Sequence, residues 1–564
     1  MKPLLISLAF LSCTVWGSSV RHYSLSSHSR GSYVNWEGDY LEVPGNPLLP
    51  KITTRILLPF HQAIEKVELK VVEEQTWTEK LVLDPVPFPK PMCEPEKNEL
   101  KKSFRKDGLS YFPENPLGEA FVVAKHGYKI LYVDVYPARY EFESKSLTWL
   151  PQSELVVYLQ DDPKPTGGFA PTEEDQKAAL RLADQLDELE TYPSVLEKNP
   201  SAEYLVIGPA AFFEDESIHS LKSLMLEKRA RGITTKALTL EEIGANYQGA
   251  DTQAKIREAV RAHYREEGTR YLLLVGNGYS ITPTKILTVN MSEGNLPSDL
   301  YFGCLDGDFK SKPYDMACEV AVGRAPATTI EDVHVFVRKS LALQDVNEGD
   351  PLVWKTVNFG EKLDSSTYAS MSLKMLEIGG IAGQGVPTVG YPAQAEFYKL
   401  YETPKVTYSS TTVIQSLKLA PFYTLNHLGH CQTTYCLRLK AEVIPEVKTS
   451  FPFFGITQGC FPGNMRQANW ASKMINLADG GAGALVANSN YGWYEPGGGN
   501  GHSNRLHTMF YDTVFKEGSR GLGKTLYRAK ERLIDQANSN SYMRWVLYET
   551  NLFGDPEVAL RFPK

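Results

Sequence analysis

The sequence predicts an all-β sandwich followed by an α/β region of two side-by-side subdomains, and three observations carry that expectation. Residues 20–162 hold strand-like runs with period-two alternation and proline-rich connections, as in Val67-Glu68-Leu69-Lys70-Val71-Val72. From Tyr204 onward, short apolar runs alternate with helix-length stretches, the pattern of a parallel sheet covered on both faces. A second series of the same kind begins near Pro351, so residues 203–350 and 351–564 are read as subdomains A and B.

Taken in order, Met1-Lys2, an apolar run from Pro3 to Leu11 and small residues around Gly17 read as a secretory signal peptide over residues 1–19. The run is too short to cross a membrane as an ordinary helix. Cys13 follows Phe10-Leu11-Ser12, a poor lipidation box, so ordinary cleavage near residues 17–19 is expected. No later stretch is apolar and long enough for a membrane span, so the expected location is secreted, periplasmic or extracellular. A net charge of −8 over 564 residues lacks the basic balance that a nucleic-acid partner requires. Of seven cysteines, six remain after the signal region, which permits disulfides but is too few for a disulfide scaffold. Cys304 and Cys318, flanking an aspartate-rich loop, are the pair expected to bridge. If Cys460 stays free, at least one other cysteine stays unpaired.

In the sandwich region the runs Ile56-Leu57-Leu58, Val67–Val72, Ile130–Tyr136 and Glu154–Tyr158 are expected strands. No cluster of catalytic residue types occurs there. Residues 163–202 are read as a linker: Asp161 to Pro171 is rich in Pro, Gly and Asp, and Thr172-Glu173-Glu174-Asp175 resembles a helix start ahead of Leu182, Leu186 and Leu189. Such a segment reads as an exposed linker, where proteolytic nicking concentrates, with Lys177, Arg181 and Lys198 as cleavage points.

The α/β texture then unfolds as strand Tyr204–Gly208, a helix over residues 218–230 stopped by Gly232, strand 233–238, a helix over 253–267 ended by Gly268, and strand Tyr271–Val275. A helix over 330–344 closes the first series, and Val357-Asn358-Phe359-Gly360 opens the second. Two apolar runs organise that second series. Phe422-Tyr423-Thr424-Leu425-Asn426-His427-Leu428 ends at Gly429-His430-Cys431, and Phe451-Pro452-Phe453-Phe454-Gly455-Ile456-Thr457 ends at Gln458-Gly459-Cys460. The connection between them is long enough for a crossover, so the strands are expected parallel, with His430 and Cys460 at their carboxyl ends. An imidazole beside a thiol supplies the base that makes a thiolate and the acid that protonates a leaving amine. Gly429 and Gly459 are read as allowing a tight turn and close substrate approach, and amides beside them, at Cys431 and Cys460, as oxyanion donors.

The runs Gly429-His430 and Gly459-Cys460-Phe461-Pro462-Gly463-Asn464, with Leu552-Phe553-Gly554-Asp555-Pro556-Glu557-Val558, resemble the gingipain family of cysteine endopeptidases. Tyr271–Gly276, Pro297-Ser298-Asp299-Leu300-Tyr301-Phe302-Gly303 and Glu319–Arg324 agree with the family in the same order, so the resemblance spans about residues 203–560. It implies a caspase-like fold, His430 as general base, Cys460 as nucleophile and peptide or protein substrates. Glu361 matches the position of the carboxylate that supports the histidine, with Asp364 as the alternative. Trp493, in Ser489-Asn490-Tyr491-Gly492-Trp493, resembles the family's pocket wall. Val43-Pro44-Gly45-Asn46-Pro47-Leu48-Leu49-Pro50 resembles the start of a gingipain-type propeptide, which implies that the sandwich is a prodomain inhibiting a zymogen. Cys431 stands where the family has glycine, and Ser366–Ser370 lacks the pocket aspartate of the arginine-specific members, so specificity for basic residues is not implied. The family's later immunoglobulin-like and sorting domains are not expected after Lys564.

No cofactor is required by this chemistry, though Asp299, Asp306 and Asp308, with Asp315, offer oxygen ligands for a structural calcium ion. His427, His430, Cys431 and Cys436 supply the ligand types of a zinc site without a paired knuckle or HExxH helix. A catalytically inactive relative acting as a binding module is the alternative reading of the whole chain. Gly497-Gly498-Gly499 has no strand before it and reads as a loop, and no Gly-x-Ser-x-Gly elbow is present.

Overall fold

The computed structural model describes residues 18–27, 39–77, 79–93, 108–162, 171–196, 199–314, 316–380 and 387–563. The signal-peptide reading of residues 1–17, the cleavage point Lys198 and the ligand Asp315 fall outside the described residues. The chain divides into two compact units: Met1–Phe88 with Glu99–Glu197 and Ile381–Pro387, and Pro89–Asn98 with Lys198–Gly380 and Thr388–Lys564.

The first unit contains two antiparallel sheets. In one, Leu147–Asp161 is flanked by Ser18–Ser26 and Gln62–Trp77 and also pairs with Ala138–Glu141. The other runs in the order Asp39–Leu41, Leu49–Leu57, Tyr128–Val135, Leu117–Lys125. Side chains alternate across a strand, so Leu155, Val157 and Leu159 of the first sheet and Leu131, Val133 and Val135 of the second enter one core. The expected exposed linker differs: its residues 171–196 belong to this unit. A capping box between Thr172 and Asp175 starts a helix, Glu173–Leu180, that stops before Leu182. Beyond it Gln185 bridges to Ile56, and Asp184 takes the Arg55 guanidinium at 2.9 and 3.0 Å. Leu186 is exposed, so the leucine spacing did not mark a continuing helix, while Lys177 and Arg181 do lie at the surface.

The second unit is organised by one ten-stranded sheet. Its strands are β1 (Tyr204–Gly208), β2 (Thr235–Thr239), β3 (Tyr271–Val275), β4 (Ala321–Ala325), β5 (Lys355–Gly360), β6 (Glu396–Tyr401), β7 (Thr424–Leu428), β8 (Phe453–Thr457), β9 (Ala482–Asn488) and β10 (Thr550–Phe553). Their order is β2-β1-β3-β4-β10-β9-β8-β7-β5-β6. Strands such as β3 and β8 are buried at every residue, which explains their unbroken apolar runs. Of the connecting helices, Thr252–Glu267, between β2 and β3, is capped by Asp251 and ends at Gly268 in the left-handed region (φ 76°), and Ile330–Gln344, between β4 and β5, starts with a Thr329/Asp332 capping box.

Strands β1–β4 are mutually parallel, as are β5–β9; β10 is parallel to β4 and antiparallel to β9, with Phe553 opposite Leu485. The two subdomains are thus two halves of one sheet running in opposite directions, and the last strand fills the seam on the edge of the first half. Helices His502–Phe515, Leu522–Glu531, Ile534–Ser539 and Ser541–Glu549 precede that strand. The first is buried from His502 through Val514, so it has no polar stripe to betray its period in the sequence. No helix among the described residues is long and apolar enough to cross a membrane.

Candidate active site

Strands β8, β7 and β5 are consecutive and parallel, so their carboxyl ends reach the same edge of the sheet. Cys460, His430 and Glu361 lie just beyond those three ends. Cys460 is fully buried and is followed by Phe461 at φ 64°, a non-glycine residue in the left-handed region. Such a conformation costs about 1–3 kcal/mol and persists only where surrounding structure imposes it. Here the Phe461 amide donates to the Asn490 carbonyl at 2.7 Å and the Gly463 amide to Asn488 at 2.9 Å.

The His430 ring is held between two main-chain carbonyls. Nε2 lies 2.9 Å from Lys362 O, and Nδ1 lies 3.1 Å from Met92 O. The Glu361 carboxylate does not touch this ring. It is fully buried, accepts from the His430 backbone amide at 3.3 Å, and meets His427 Nε2 and Arg438 Nη2 at 3.3 Å each. Burial raises its pKa, but the His427 hydrogen bond and the charges of His427, Arg438 and His430 outweigh that and hold the carboxyl below the ordinary glutamate range. Glu361 therefore fixes the main chain that carries His430, and the Lys362 carbonyl orients the ring. Asp364 is further away in role: its carboxylate accepts from the amides of Ser366 and Thr367 and from the Tyr494 hydroxyl at 3.0 Å.

The two glycines act differently from the expectation. Neither has a positive φ. A Cβ on Gly429 would stand 2.5 Å from Glu361 Cγ and 2.7 Å from His427 Nε2, and one on Gly459 would stand 2.1 Å from Cys431 Sγ. Both are needed because neighbouring strand ends pack against them. Among the described residues the amides of Cys431 and Cys460 have no hydrogen-bond partner. Asn488, at the end of β9, donates from Nδ2 to the carbonyls of Gln458 (3.1 Å) and Gly459 (3.2 Å). Because C=O and N–H point in opposite directions across a planar trans peptide, this turns the Cys460 amide away from Asn488.

An extended strap crosses the site. Lys90–Pro91 pairs antiparallel with Trp493–Tyr494, and the Met92 amide donates to the Gly492 carbonyl at 2.9 Å. Met92 is fully buried, and the next residue, Cys93, is disulfide-bonded to Cys460 with a Cα–Cα distance of 5.5 Å. The condition for an unpaired partner cysteine, a free Cys460, is therefore not met. Trp493 offers its backbone to the strap, while its ring, 9% exposed, sits among Tyr491, Tyr542 and Trp545 rather than standing as an open wall.

Cys304 and Cys318 are bridged, and so are Cys431 and Cys436. His427, Cys431 and Cys436 do cluster tightly enough for a metal, without His430, but sulfurs bonded to one another are not thiolate ligands. Among the described residues Asp299, Asp306 and Asp308 form no cluster that could hold an ion. Both oxygens of Asp299 take the buried Arg324 guanidinium at 2.7 Å, where a second cation would be repelled; Asp308 caps a turn through the amides of Lys310 and Ser311; Asp306 is exposed.

Sequence reasoning gave His427 only as a zinc ligand type and missed its contact with Glu361, and it missed Asn488 and the strap. A polar His427 within a buried strand and Asn488 ending another were available signals. The strap lies in a proline-rich stretch without periodicity, and only the even number of remaining cysteines hinted that Cys460 is paired.

The model of peptidase family C25 matches residues 197–561, more than half of the chain. The chain belongs to peptidase family C25. It is accordingly a cysteine-type peptidase with a gingipain-family α/β region. Similar solved structures include the Arg-specific cysteine proteinase gingipain R, at 17% identity and TM-score 0.48 over 65% of this chain and 80% of that one. A complex of the pro- and mature domains of RgpB from Porphyromonas gingivalis matches at 16% identity and TM-score 0.48, over 63% and 79% of the two chains. Dimeric latent PorU from the same organism matches at 11% identity and TM-score 0.30, over 100% of this chain and 54% of that one. A search of curated proteins finds no match to this sequence.

Proposed function

We propose that this chain is a secreted cysteine endopeptidase made as a zymogen, in which Cys460 is the nucleophile and His430 the general base. The observation that carries the reading is the strap: an extended peptide lies on Gly492–Tyr494 with its Met92 carbonyl on His430 Nδ1 and its next residue on Cys460. A substrate adding itself to the same edge by main-chain hydrogen bonds would meet the same two groups.

In the open site, His430 Nδ1 takes the Cys460 proton while Lys362 O holds Nε2, and the thiolate attacks the scissile carbonyl. The amides of Cys431 and Cys460 receive the oxyanion. His430 then protonates the departing amine and activates the water that releases the acyl group. Residues 20–162 serve as the prodomain, with activating cleavage within residues 163–202 at exposed Lys177 or Arg181, or at Lys198. Ser366–Ser370 carries no acid, so this reading assigns no preference for Arg or Lys.

The test is cleavage of a mixed peptide library by protein freed of its N-terminal region, under reducing conditions, beside Cys460→Ala. Cleavage abolished in the variant supports the assignment, and the cut sites define specificity. Equal cleavage by both proteins would move the nucleophile elsewhere, and equal silence would favour a binding role.

A further inference from the structure

We infer that Cys93 is a redox-modification site: its disulfide to Cys460 is a second lock on the peptidase, opened by thiol–disulfide exchange and not by proteolysis. This rests on the reading of Cys460 as nucleophile. Only a thiolate attacks a carbonyl, and a sulfur bonded to Cys93 has none to offer. The strap presents Cys93 in a defined place. Pairing with Trp493–Tyr494, the Met92 hydrogen bond to Gly492 and the Met92 carbonyl on His430 hold it, so both catalytic side chains are occupied by adjacent residues of one strand.

Position in the chain separates this lock from the proteolytic one. Cys93 lies upstream of residues 163–202, so a cut there leaves the severed N-terminal piece bonded to Cys460 across a sequence separation of 367 residues. Reduction without a cut leaves Cys93 tethered beside its partner at high effective concentration, ready to reclose. Full opening requires both events.

Exposure selects the sulfur that reacts. Cys93 is half-buried, whereas Cys460 and the cysteines of the other two disulfides, Cys304, Cys318, Cys431 and Cys436, are buried. An external thiolate, from a dithiol protein or a small thiol such as glutathione, attacks Cys93 Sγ and expels Cys460 as thiolate. A second thiol then breaks the mixed disulfide and releases Cys93. Two reductant thiols become one disulfide, and two electrons and two protons pass to Cys93 and Cys460. An oxidising medium keeps the lock closed and a thiol-rich one opens it.

The experiment uses the full chain purified without reductant, alkylated with iodoacetamide before or after glutathione or a phosphine, and mapped by mass spectrometry. The expected result is a Cys93–Cys460 linked peptide and no label on Cys460 until reduction, with the other two disulfides more resistant. After a cut within residues 163–202, the fragments should stay joined on a non-reducing gel and separate on a reducing one. Cut Cys93→Ser, with Cys93→Ala as a second variant, should separate and label at Cys460 without reductant. Label on Cys460 in unreduced wild type, or fragments that part without reductant, would overturn the lock. Neither readout uses peptidase activity, so a reducible lock on a protein that cuts no peptide would refute the proposed function alone.

Discussion

Glu361→Gln tests whether a buried charge holds the histidine loop in place. The carboxylate receives three donors: His427 Nε2, the His430 amide and Arg438 Nη2, each at 3.3 Å. Glutamine keeps the volume but replaces one acceptor by an amide nitrogen, so one donor faces another donor, at about 1–3 kcal/mol for a buried unsatisfied group. Losing one of the two carboxylates on Arg438 adds to this, although Glu402 at 2.8 Å remains, so the expected loss lies at the upper end of that range, about 3 kcal/mol. The pH dependence has a fixed sign. The folded-state pKa of Glu361 is depressed, so its contribution is complete above the ordinary glutamate pKa and is lost as pH falls through the lower folded value. The assay is hydrogen exchange of the segments 424–431 and 453–463 in reduced protein, from neutral to acid pH. Wild type should lose protection as acid protonates the carboxylate; the variant should start about 3 kcal/mol lower and lose less on acidification. Because the His430 main chain would shift, kcat/KM should also fall roughly 10–100-fold. A stability change below about 0.5 kcal/mol with an unchanged acid limb would refute the reasoning, since ordinary surface substitutions stay within that size.

Asn488→Ala frees the carbonyls of Gln458 and Gly459; kcat for peptide hydrolysis should drop roughly tenfold or more with KM little changed, because it acts through the Cys460 amide. Replacing Cys431 and Cys436 together by Ser should cost about 2 kcal/mol in denaturant unfolding, the chain-entropy value for so short a loop. Asp299→Asn should destabilise the second unit by about 3–5 kcal/mol by leaving buried Arg324 unpaired, whereas adding EDTA or calcium to wild type should leave its unfolding midpoint unchanged.

The runs around residues 424–428 and 453–457 announce buried parallel strands, because a strand covered on both faces is mostly apolar, and a polar residue just past its end is a residue at the sheet's edge. His430, Cys460 and Glu361 were legible for that reason. The helix Ile330–Gln344 was legible from its cap and its period. The sequence alone could not determine what those side chains touch. Glu361 and His430 are 69 positions apart, and nothing local distinguishes a carboxylate on the ring from one on the backbone amide. Gly429 and Gly459 read as residues for a tight turn and close substrate approach until the neighbouring strand ends appeared against them. The last strand, β10, is buried at every residue and the helix His502–Phe515 at all but its last, so neither shows a solvent face that would mark its period. Cys93 meets Cys460 only because the backbone of the strap pairs with Trp493–Tyr494, and main-chain hydrogen bonds leave no trace in side-chain periodicity. Composition and period determine which segments are buried; the partner of each buried polar group is a matter of strand order, which only the tertiary structure decides.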